Sequence, residues 1–186
     1  MSESLALWIS AAVLLFWAVG AYNRLVRLRA AVLLAFAAVE VPLREQVELA
    51  QSCLPLSANS AGMQEDVLLD DMSSLWNGLG AAANQFTASL AGARAHPLDP
   101  DTTAALNAAI GVMQMAWQRM QQDDAHDLAG AALPENLQLQ WQQLEARREA
   151  STALFNEAIN QYNGAIAQFP ALLLASLFHF KPARTL

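Results

Sequence analysis

The stretch Leu5–Tyr22 reads LALWISAAVLLFWAVGAY and carries no charged side chain. At 1.5 Å per residue a helix over this run extends about 27 Å, close to the hydrocarbon thickness of a bilayer. Arg24, Arg27 and Arg29 follow at once, whereas only Glu3 and the terminal amine stand before it. A cleaved signal peptide would carry its positive charge ahead of the apolar run. Here Met1–Ser4 is acidic, and only Val19-Gly20-Ala21 resembles a cleavage site. We therefore read an uncleaved anchor. The arginines after it predict an external N-terminus and a cytoplasmic remainder. Trp8 and Trp17 fit as interface anchors.

Outward from this run the chain is long enough for one domain of ordinary size. Of its 186 residues 55% are hydrophobic and 15% charged, and the net charge is −7. That balance argues against nucleic acid, whose phosphates require clustered Lys and Arg. Cys53 is the single cysteine, so no intrachain disulfide and no cysteine-based metal site can form. Its default role is that of a buried small hydrophobe.

Helical periodicity fills the rest. Leu25, Leu28, Val32, Ala35, Val39, Leu43, Val47, Ala50 and Leu54 recur at gaps of three and four, the apolar face of a helix continuous with the anchor. Pro42 should interrupt this helix, and Pro55 with Ser57–Gly62 should end it. Leu68, Met72, Leu75, Leu79, Ala82, Phe86 and Leu90 mark a second helix, with Glu65, Asp66, Asp70 and Asp71 at its positive dipole end. Leu106, Ile110, Met113, Trp117 and Met120 mark a third, and the stripe from Leu137 and Trp141 through Phe155 and Tyr162 to Phe169 a fourth. Short connections make successive helices antiparallel neighbours. The expectation is an all-α fold, an N-terminal transmembrane helix continuing into an up-down antiparallel four-helix bundle. Its parts would be a short external N-terminus (1–4), the span (5–22), the bundle (23–170) and an apolar membrane-proximal tail (171–186). Within the bundle the helices would lie at about 23–56, 65–93, 101–129 and 134–169.

This topology brings the end of the fourth helix back beside the start of the first, near the bilayer. Two candidate sites follow. Phe169, Leu173, Leu177, Phe178, Phe180 and Lys181 belong to an apolar tract too short to span. They would either contact the membrane surface or fold back over the bundle base. Tyr22 and Asn23 should approach Asn156, Tyr162 and Asn163, forming a polar interhelical clasp that sets the register of helices one and four. Arg148 falls on the apolar stripe. Buried, it would pair with Glu45 or Glu48; otherwise its stem covers the core edge and its head reaches water.

The segments Tyr22-Asn23-Arg24-Leu25-Val26-Arg27-Leu28-Arg29, Phe155-Asn156, Tyr162-Asn163, Phe169-Pro170 and Phe180-Lys181-Pro182 resemble motifs of the LemA family of bacterial membrane proteins. The resemblance lies at the two ends of the chain. Between Ser57 and Ala132 only the helical pattern agrees, and Pro42 and the REQVELAQSCLPL segment from Arg44 depart from the family pattern. The resemblance implies one span, a cytoplasmic helical bundle and an accessory role beside membrane proteases or envelope proteins. It implies no biochemical activity.

Catalytic signatures are lacking: no G-x-S-x-G, phosphate loop or dinucleotide fingerprint occurs. Asp123, Asp124, His126 and Asp127 have the residue types of metal ligands without the spacing of helical metal sites. Trp76, Trp117 and Trp141 read as core, or with Met113, Met115 and Met120 as a partner-binding stripe, and burial discriminates the two. We expect no enzyme, no cofactor and no metal. The first reading is an interaction or scaffold module in the cytoplasmic membrane, with the lipid bilayer and a protein of an envelope or membrane-protease complex as partners. The second is a lipid-interacting or membrane-remodelling protein acting through the tail, and the third a metal-dependent enzyme. Exposed apolar tail residues beside the anchor would favour the second over the first.

Overall fold

The computed structural model describes the backbone of residues 2–60, 68–124, 135–169 and 171–186 and the side chains of 7–54, 74–122, 135–169 and 171–186. The described residues contain five α-helices: α1 (Ser2–Ser60), α2 (Leu68–Ala95), α3 (Pro100–Asp124), α4 (Glu135–Ala167) and α5 (Ala171–Leu177). The predicted rod is present, since α1 runs unbroken from the apolar arm into the bundle. Pro42 does not end it. That residue is itself buried between Val39 and Leu43, and the packing of this segment on its neighbours offsets the lost hydrogen bond. Nor does Pro55 end α1, which continues to Ser60.

Leu25, Val32, Val39, Gln46 and Cys53 are all buried, as are Phe36, Leu43 and Ala50. Both series repeat every seven residues, the spacing that keeps one seam facing a partner helix. Trp141, Phe155 and Tyr162 are buried on α4, and Phe36 meets Phe155 edge-on at 5.7 Å. Between them, α2 and α3 bury Leu79, Phe86, Leu106, Met113, Trp117 and Met120. Their turn is fixed locally: Asp99 caps α3 by accepting from the Thr102 amide at 3.1 Å, with Pro100 at the first helical position.

The bundle is four-helical only in its distal part, a correction to the expected layout. Arg94, near the end of α2, reaches Glu40 of α1 at 3.4 Å. The α2–α3 pair therefore stops alongside residue 40, because 28 residues of α2 cannot match the 59 of α1. Among its neighbours α1 packs most extensively on α4, and α5 touches both α1 and α4. Beyond Leu25 the arm of α1 is exposed along residues 7–24, apart from half-buried Ala18 and Ala21.

The single-span expectation is not met among the described residues, where no helix is long and apolar enough to cross a membrane. The uncharged run opens with Leu5 and Ala6, whose side chains lie outside those described, and it stops two residues before Arg24.

Candidate functional site

The proximal end of α4 carries three polar side chains that all bind the tail. Asn163 donates from Nδ2 to the Ala183 carbonyl at 2.8 Å and accepts at Oδ1 from the Ala183 amide at 2.9 Å. Seven residues earlier, Asn156 makes the same pair of bonds to the carbonyl and amide of Leu186, both at 2.9 Å. The Tyr162 hydroxyl donates to the Lys181 carbonyl at 3.0 Å.

Two helical turns rise about 10.5 Å, and three residues of extended chain span about 10 Å. A helix with asparagines seven apart thus matches an extended strap in steps of three. The strap runs antiparallel to α4. Phe180, Ala183 and Leu186 turn inward at every third position, with Ala183 buried and the other two half-buried, the repeat of a polyproline-type chain. Each amide pair satisfies one backbone donor and one acceptor that burial would otherwise leave unmatched, at about 1–3 kcal/mol per orphaned group.

The α5 helix enters this strap through a sharp stop. The Phe180 amide donates back to the Ala175 carbonyl at 2.9 Å, while His179 takes a left-handed conformation at φ 56°. This is the reversal that usually closes a helix with glycine.

The clasp expected between helices one and four is therefore corrected. Asn156, Tyr162 and Asn163 hold the tail, whereas Asn23 is exposed. Across the seam, α1 presents the apolar Leu25, Val32 and Phe36, which cannot answer an amide or a hydroxyl, and the strap's backbone can. Tyr22 joins this end through its ring, 4.9 Å from Phe178 and 6.2 Å from Phe180. Burial pushes the Tyr162 hydroxyl above its ordinary pKa, with Arg29 partly offsetting the effect. It stays a neutral donor near pH 7.

The tail divides between its two expected fates. Phe180 to Leu186 fold back onto α4. Phe169, Leu173, Leu177 and Phe178 stay 80%, 63%, 68% and 51% exposed, and Lys181 is exposed as well. Arg24, Arg27, Arg29, Lys181 and Arg184 make up half of the chain's ten basic residues. None of the five forms an ion pair with a described residue. The ion pairs present belong to Arg44, Arg94, Arg147 and Arg148, farther along the bundle.

At the distal end Trp117 stacks on Trp141 at 4.2 Å with 11° between the rings. Both are buried, as are Met113 and Met120, and Trp76 is half-buried. These residues are core, which overturns the partner-binding stripe; of that group Met115 alone is exposed. Arg148 lies mostly buried beside Glu145 of its own helix at 3.5 Å. Glu45 instead pairs with Arg147 at 2.7 Å. The Arg147 position flanks the seam, where a long stem reaches across. Cys53 is buried and donates to the Leu49 carbonyl at 3.2 Å, and burial raises its thiol pKa, the setting of an inert cysteine. Among the described residues no three His, Cys, Asp or Glu side chains converge as metal ligands. The acidic cluster of Glu65, Asp66, Asp70 and Asp71, and the run Asp123–Asp127 with His126, have side chains outside the described residues.

Taken together, the helices and the strapped base define an all-α helical-bundle protein with an apolar proximal end. The family comparison narrows this class. The model of the LemA family matches residues 59–186, and the chain belongs to that family. The matched region includes the middle helices, where the sequence offered only a pattern, and leaves out the Tyr22–Arg29 motif. No curated protein and no solved structure matches the chain.

Proposed function

We propose that this protein is a non-enzymatic bundle anchored to the cytoplasmic face of a bacterial membrane by its N-terminal arm. On this reading the uncharged run Leu5–Tyr22 enters the bilayer, the N-terminus lies outside and the bundle stands in the cytoplasm. One observation carries the proposal. Large exposed apolar side chains are densest on the arm and on α5, and Arg24, Arg27, Arg29, Lys181 and Arg184, none in an ion pair with a described residue, follow those two segments in the chain. Apolar area followed by a basic band is the pattern of a segment seated in an anionic interface.

Between the two working roles, the same observation favours lipid contact through the tail. The distal bundle has scattered exposed apolars, Met115 and Leu139 among them, rather than a broad patch. A scaffold role toward a protein of an envelope or protease complex remains the second reading, supported by family membership.

Fractionation tests the anchor. The full chain should remain with membranes after an alkaline wash, and removal of residues 2–22 should release it. Recovery of the full chain in the soluble fraction would overturn the proposal. Crosslinking in intact cells, with and without the residues after Phe169, separates the two roles. A protein partner retained by both forms selects the scaffold, and lipid adducts lost with the tail select the lipid reading.

A further inference from the structure

Along the arm, α1 and the α4–α5 corner enclose an open groove of about 870 Å³. Its long wall is one face of α1, including Val13, Phe16, Trp17 and Gly20, and its floor includes Phe169 and Ala171. Two polar side chains line it, Arg24 and Gln168, both at the end nearest the bundle. From Ala12 to Leu25 the groove follows α1 for about 20 Å, comparable to one fatty-acyl chain. At Gly20 the groove is open space, since a Cβ there would meet no atom within 4 Å.

We infer that this groove seats a single anionic phospholipid of the cytoplasmic leaflet, with one acyl chain along the arm and the headgroup phosphate at Arg24. Three features select this occupant. The groove is apolar along its length and cationic at one end, which is the polarity of a lipid. Arg24 is exposed and has no ion-pair partner among the described residues, as have Arg27 and Arg29 in the following turns. The polar end coincides with the level at which the uncharged run stops, where a headgroup lies when the arm is in a bilayer. The inference rests on the proposed membrane anchoring.

Native mass spectrometry of the delipidated full chain in detergent tests it, with phosphatidylglycerol and phosphatidylcholine titrated separately. One phosphatidylglycerol should be retained in preference to phosphatidylcholine. Arg24→Gln should weaken phosphatidylglycerol about fivefold, near the effect of one interfacial cation, and leave phosphatidylcholine unchanged. Gly20→Leu should fill the groove and weaken both lipids. Equal retention of the two lipids by the unsubstituted chain overturns the site, as does a preference that survives both substitutions. Circular dichroism of each variant separates loss of the site from loss of the fold. Fractionation keeps the two proposals apart. A membrane-bound chain without lipid preference removes the groove and keeps the anchor; a soluble chain that still selects phosphatidylglycerol removes the anchor and keeps the groove.

Discussion

The two ends of the bundle treat polar groups in opposite ways. At the proximal end each polar side chain of α4 that faces inward has a backbone partner in the strap, while the cations around it are unpaired. At the distal end Arg147 and Arg148 meet carboxylates, and three buried polar atoms, Gln46 Nε2, Trp117 Nε1 and Arg148 Nε, have no hydrogen-bond partner among the described residues. A helix seam can hold a few such groups where packing is extensive on several sides. A base closed by one extended segment has less apolar area to offset them. Its polar groups therefore carry the attachment. The proximal end is specified by hydrogen bonds, and the distal end by packing.

The largest expected effect comes from the residue where the two regimes meet. Phe155→Ala should lower stability by about 3–5 kcal/mol, measured by denaturant unfolding, because Phe155 is fully buried against Phe36. A much smaller loss would mean that the two ends are not one cooperative unit. Asn163→Ala removes both bonds to Ala183, and because the flanking Pro182 and Arg184 are exposed and admit water, the two losses together should cost about 1–3 kcal/mol. Hydrogen exchange should rise in the strap and stay unchanged around Trp117. Equal changes at both ends would erase the distinction drawn above.

Tyr162→Phe should cost about 1 kcal/mol at neutral pH, and it carries a pH signature. The folded-state pKa of Tyr162 is raised above its ordinary value of 10.0. Its contribution is thus complete below that value and is lost as pH climbs through the raised folded-state value. Protease cleavage in the strap should increase in strong alkali for the unsubstituted chain, and Tyr162→Phe should remove that dependence. The smallest effect tests the distal end. Arg148 retains 12% side-chain exposure, and Arg148→Met should change stability by no more than about 1 kcal/mol in either direction, read by thermal unfolding. A large loss would show that the distal polar group is as firmly specified as the proximal ones.

Much of the fold could be read from apolar spacing. The sevenfold positions of α1 and the stripes of α2, α3 and α4 each repeat often enough to outweigh single exceptions such as Pro42. The strap could not be read this way. It is held by side-chain bonds to backbone, and backbone is the same at every residue, so no pattern of types in Phe180–Leu186 announces its partner. The interval of seven between Asn156 and Asn163 was the available clue. It placed those residues on one face of α4 and left the other side of the bond open. The Arg147–Glu45 pair was missed for a related reason. An inward stripe directs attention to Arg148, yet a guanidinium on a long stem reaches farthest from the flank. The end of α2 beside Glu40 depends on relative helix lengths, which apolar spacing alone does not resolve.

The unbroken course of α1 has a mechanical consequence. Its arm and its seam are one piece of helix, so the seam's heptad phase dictates which side of the arm faces α5. A single residue inserted between Tyr22 and Leu25 would turn the arm by about 100° relative to the bundle. Trp17 and Gly20 would swing away from the corner at Phe169 with no side chain of either changed. By the same rigidity, twisting or tilting of the arm would be delivered as torque to Leu25 and Val32, making α1 a drive shaft between the outermost residues and the core.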